Sequence, residues 1–79
     1  MSQSLPVLSG SDVVRTLGSV GFAQIIQRSS HVKLRKEGTT VIVPLHRESA
    51  PGTLRSILRQ AQMTVGEFID LLREIVTLP

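Results

Sequence analysis

The chain contains no cysteine, which removes disulfides, thiol catalysis and cysteine-ligated zinc together. Its two histidines, His31 and His46, have no carboxylate pair beside them, so neither a structural metal nor any other cofactor is expected. No apolar run reaches the roughly 18 residues that a membrane helix needs. The opening MSQSLPVLSG lacks a basic segment followed by a long apolar one, so it does not read as a signal peptide, and the cytoplasm is the expected location. Acidic residues are also scarce, six against nine lysines and arginines.

What is present points to a folded, soluble protein. With 41% hydrophobic and 19% charged residues, the chain is too apolar and too weakly charged for intrinsic disorder. A length of 79 residues suits a single domain over 1–79, small enough that a partner's cover would matter to its stability. The net charge of +3 hides an asymmetry. Residues 27–60 hold seven cations (Arg28, Lys33, Arg35, Lys36, Arg47, Arg55 and Arg59) against Glu37 and Glu48, whereas 61–79 hold Glu67, Asp70 and Glu74 against Arg73. A basic middle raises local anion density and suits a polyanion, although a charged surface is often only a solvated one.

Residues 9–20 read as a helix: Ser9 with Asp12 has the N-terminal capping pattern, and Val13, Leu17 and Val20 recur at helical spacing until Gly21 stops them. Strands are expected over 22–28, 31–36 and 40–45, with a tight turn at Glu37-Gly38-Thr39 joining the last two. In the middle strand Val32 and Leu34 alternate with His31, Lys33 and Arg35. Burying the first pair must turn the second set to solvent. Thr53 is placed to cap a helix carrying the stripe Leu54, Ile57, Leu58 and Ala61. Thr64 and Glu67 form a capping box for another, with Met63 set to staple against Phe68. The order helix, three strands, helix, helix predicts an α+β sandwich of two layers, a three-stranded antiparallel sheet with helices on one face.

An imidazole exchanges protons near neutral pH without a metal. His31 on an open face with Lys33 and Arg35, and Arg28 on the neighbouring strand, would bring acid–base and cationic groups to one phosphate. RNA cleavage needs that combination: a base takes the 2′-hydroxyl proton, phosphorus gains negative charge, and an acid protonates the leaving 5′-oxygen. Ser30 can hydrogen-bond a phosphate oxygen or hold the ring. His46, after the last strand, can carry a proton, contact phosphate or bond backbone. Taken by itself, a histidine on a strand beside two cations is more often an ordinary surface residue than a catalytic one.

An ordered set of residues narrows this. Ser9-Gly10, Leu17, Gly21-Phe22, Ser30-His31, Pro44 with His46, Gly52-Thr53-Leu54, Ile57-Leu58, Phe68 and Leu71-Leu72 together resemble the HicA (YcfA-like) toxins over about 9–72. The resemblance implies a fold like the double-stranded RNA-binding domain and metal-independent endoribonuclease activity on mRNA in a type II toxin–antitoxin system. A HicB-like antitoxin would cover the active face. The family's Gly-Ser-His motif aligns with Ser29-Ser30-His31, which gives His31 the catalytic role by position. Ser29 puts a β-carbon where the family has none. His46 matches a Pro-x-His element, with a supporting role inferred. Beside the nuclease stand a non-catalytic RNA-binding module of the same fold and a DNA-binding regulator built on the helices of 54–72. The acidic Glu67, Asp70 and Glu74 argue against the regulator, since phosphates repel them.

Overall fold

The computed structural model describes residues 8–28, 30–45 and 51–77. Its elements run α1 (Gly10–Gly18), β1 (Ala23–Arg28), β2 (His31–Lys36), β3 (Thr39–Pro44), α2 (Pro51–Gln60) and α3 (Val65–Thr77). The strands form one antiparallel sheet in the order β1-β2-β3. This is the α+β arrangement expected from the sequence.

Local chemistry sets the element ends. Ser9 caps α1, its Oγ accepting from the Asp12 amide at 3.1 Å. The helix ends at Gly18, two residues before the expected Val20, and the chain turns through Gly21 at φ 104°. At α2 the expectation fails by two residues. The helix begins at Pro51, whose missing N–H and fixed φ suit a first helical position, so Thr53 lies inside the first turn instead of before it. The capping box at α3 forms in full: the Glu67 amide donates to Thr64 Oγ1 at 3.0 Å, and the Thr64 amide donates to Glu67 Oε1 at 2.9 Å.

The hydrophobic core lies between one face of the sheet and the helices. Val32 and Leu34 of β2 and Val41 and Val43 of β3 meet Val13 and Leu17 of α1, Leu54, Ile57 and Leu58 of α2, and Phe68 of α3, all at most 2% exposed. Each such side chain contributes roughly 1.5–3 kcal/mol by leaving water, and this burial fixes which face of β2 looks outward. Met63 and Val65 pack against the same cluster. Thr16, the one buried polar residue among those described, donates its hydroxyl to the Asp12 carbonyl at 2.8 Å, so its burial leaves no unmet group.

Strand β1 departs from expectation in its surroundings. All six of its residues are exposed, Ile25 and Ile26 included, because the helices cover β2 and β3 and stop short of it. Its pairing slips between Gln24 and Ile26, the signature of a bulge, which also spoils this free edge as a template for another strand. At the opposite edge the Ile42 amide, pointing away from β2, donates to Gln60 Oε1 of α2 at 3.1 Å.

Candidate functional site

The alternation of β2 gives the outer face its chemistry. With Val32 and Leu34 drawn into the core, His31 and Arg35 are exposed and Lys33 is half-buried on the other side. Pairing then brings in neighbours, since residues directly opposite on adjacent strands share a face. Arg28 stands across from His31 on β1, and Pro44 flanks it on β3. In the next row Ile26, Lys33 and Ile42 lie side by side, and beyond them Ala23, Arg35 and Thr40.

Distance separates these cations by role. Directly paired residues sit about 5 Å apart, and successive same-face residues of a strand about 7 Å apart, so Arg28, His31 and Lys33 can surround one phosphate. Arg35 lies about 13 Å along the strand from His31, in reach of a neighbouring phosphate only. A groove of about 360 Å³ records this grouping: Arg28, His31 and Lys33 line it with Ile26 and Ile42, and Arg35 does not. Ser30 sits in the β1–β2 turn, its carbonyl accepting from the Leu45 amide, which ties the end of β3 to the residue before His31. His46 and Ser29 lie outside the described residues.

Two apolar members of this face were not anticipated. Ile26 is 41% and Ile42 40% exposed, large aliphatic surfaces set among cations. For Ile42 the signal was available, because alternation within Val41-Ile42-Val43 puts it on the face opposite two buried valines. The chain's two phenylalanines, Phe22 and Phe68, are both buried, so among the described residues the flat groups this face offers a base are the His31 imidazole and the arginine guanidiniums, set among aliphatic surface.

A second groove, of about 440 Å³, begins on the other side of His31 and runs around the β3 edge to α2, lined by Thr53, Ser56 and Gln60 together with His31, Ile42 and Pro44. A larger groove, of about 700 Å³, lies elsewhere, and Glu37, Glu67, Asp70 and Glu74 outnumber Lys36 in its lining. Carboxylates repel phosphate, so size does not make it the polyanion site. Among the described residues no three His, Asp or Glu side chains cluster so as to hold a metal ion.

A family model for the HicA toxin of bacterial toxin–antitoxin systems matches residues 10–63. The chain belongs to the HicA toxin family. The match starts at the first residue of α1, crosses the whole sheet and α2, and includes His31 together with every cation of the outer face. Membership makes the protein a toxin component with an antitoxin as its counterpart, and the open antiparallel sheet with its helices agrees with the fold like the double-stranded RNA-binding domain known for HicA toxins. No curated protein matches the chain. No described helix is long and apolar enough to cross a membrane.

Proposed function

We propose that this HicA chain is an mRNA endoribonuclease that needs no metal, with His31 as its proton-transfer group. The observation that carries the reading is the grouping of Arg28, His31 and Lys33 in one groove on the outer sheet face. In the reaction the neutral imidazole removes the 2′-hydroxyl proton as O2′ attacks phosphorus. The P–O5′ bond breaks, and the leaving 5′-oxygen takes up a proton from the imidazolium or from water. The products are a 2′,3′-cyclic phosphate end and a 5′-hydroxyl end. Lys33 and Arg28 offset the charge that builds on the phosphoryl oxygens, Arg35 holds the next phosphate, and Ser30 and His46 are assigned to RNA binding by position in the sequence.

The antitoxin is proposed to be HicB-like and to silence the protein by laying an acidic surface over this basic face, which competes for the phosphate sites and covers His31. Expression of the wild-type and His31→Ala proteins without an antitoxin tests the function. General acid–base catalysis contributes about 10²–10⁴ in rate. His31→Ala should therefore lose cleavage by that order and no longer inhibit growth, while still binding RNA. Equal cleavage by the two proteins would remove His31 from the chemistry and leave an RNA-binding module.

A further inference from the structure

We propose that the neutral groove between His31 and α2 is a nucleobase subsite that selects a carbonyl-bearing base beside the scissile phosphate. This rests on the reading of His31 as the cleaving group. Two grooves share His31 and Ile42 and differ in everything else. One adds Arg28 and Lys33, and the other adds the hydroxyl and amide side chains of Thr53, Ser56 and Gln60. An RNA strand whose phosphate sits at His31 therefore has cations on one side and, on the other, a volume of about 440 Å³ whose described lining, His31 apart, has no ionisable side chain, within the range typical of small-ligand sites. Phosphates gain little there. A base gains aliphatic contact from Ile42 and Pro44 and hydrogen bonds at its edge.

Gln60 gives the groove its selectivity. Its amide orientation is fixed by chemistry, because the Ile42 N–H is a donor and only the side-chain oxygen can receive it, at 3.1 Å. The Nε2 of the same amide is thereby held as a donor beside Ile42, at the groove. A fixed donor favours a base that presents a carbonyl oxygen. Uracil, cytosine and guanine each have one and adenine has none. Thr53 and Ser56 hydroxyls adapt to either polarity and complete the edge contacts without setting the choice.

The test maps cleavage sites in a mixed RNA pool with the full-length protein. Wild type should disfavour adenine at one position flanking the cut by roughly three- to tenfold, the factor one net hydrogen bond supplies. Gln60→Glu keeps an oxygen for the Ile42 amide but replaces the donor by an acceptor, so bases that carry an amino group, adenine included, should gain there and uracil, which has none, should lose. Ser56→Ala, at an exposed position of the groove, removes a contact open to every base, so it should lower cleavage at all of them alike and keep the wild-type preference. Base distributions identical in wild type and Gln60→Glu overturn the proposal. In parallel, non-cutting His31→Ala protein is titrated by NMR with five-nucleotide oligo(U) and oligo(A). Larger shifts at the Thr53, Ser56 and Gln60 signals with oligo(U) support the subsite, and equal or absent shifts overturn it. Should wild type cut no RNA, the nuclease reading falls, and the titration alone decides the groove.

Discussion

Arg28 faces His31 directly across the β1–β2 pair, whereas Arg35 shares the strand and the face of His31 but lies two same-face positions further on. On the proposed nuclease reading both cations add to the attraction for RNA, and only the nearer one reaches the phosphate at which bonds change. Arg28→Ala and Arg35→Ala should each flatten the salt dependence of single-stranded RNA binding, lowering the slope of log K against log salt by about 0.7. Their effects on cleavage should part. At saturating RNA, Arg28→Ala loses about tenfold in rate, the size of one charge-assisted contact, and Arg35→Ala stays near wild type. Equal losses in rate would mean that the reacting phosphate lies farther along β2.

The first residue of α1 crosses the end of β3 closely. A β-carbon at Gly10 would lie 2.3 Å from the Pro44 carbonyl oxygen and 2.8 Å from the Leu45 α-carbon, both backbone atoms that cannot swing aside. Gly10→Ala should therefore destabilise by about 1–3 kcal/mol or more, as overpacking does. Gly18→Ala is the control. It sits in the same helix with nothing within 4 Å of the added carbon, and it should stabilise by up to about 1 kcal/mol. Urea midpoints of the two variants moving in opposite directions would confirm that close approach, and no general need for glycine, holds the first position.

Lys36 and Thr39 pair across a two-residue turn in which Glu37 has φ 48° and Gly38 φ 85°. Positive φ at both central positions defines the type I′ hairpin, which matches the twist of the strands and favours Asn-Gly. Glycine meets this without strain, but glutamate places its β-carbon against backbone at a cost of about 1–2 kcal/mol. Glu37→Asn should recover about 1 kcal/mol, a rise in Tm of roughly 4–8 °C for a domain of this size. An unchanged or lower Tm would show that the Glu37 side chain supplies a stabilising contact of similar size.

Where the sequence was legible, the physics was local. The period of two in His31-Val32-Lys33-Leu34-Arg35 assigned both faces of β2, because a strand has no other way to bury Val32 and Leu34. Ser9 with Asp12 and Thr64 with Glu67 act over three residues and formed as read, and the turn expected over Glu37-Gly38-Thr39 formed one residue shorter, with Thr39 already paired in β3. Relations between distant residues were not legible. Ile25 and Ile26 read as ordinary strand residues, and their exposure depends on how far the helices extend over the sheet. Gln60 reaches Ile42 across 18 positions, with no local pattern to announce it, so the groove shared by His31 and α2 emerged only from the fold. Pro51 shows a third case: its helix-starting role is local, but the polar Thr53 two residues later offered a competing cap.

Glu67 supplies the test of how a single cap reports on pH. Its carboxylate accepts the Thr64 amide while its own amide donates to the Thr64 hydroxyl oxygen, and hydrogen bonding from Thr64, the backbone first and the side chain second, lowers its pKa below the ordinary 4.5. A lowered carboxylate pKa means that the folded state holds the proton less tightly than the unfolded chain. The cap's contribution is therefore fully present above about pH 4.5 and is lost as pH falls through the lowered value. Glu67→Gln keeps an oxygen for the Thr64 amide and removes the titration. Thermal melts from pH 7 to pH 2.5 should show wild type ahead of Glu67→Gln at neutral pH, helped also by a negative charge at the start of α3, with the gap closing below about pH 4.5. A gap that stayed constant across that range would mean that the ionised carboxylate adds nothing beyond its oxygen.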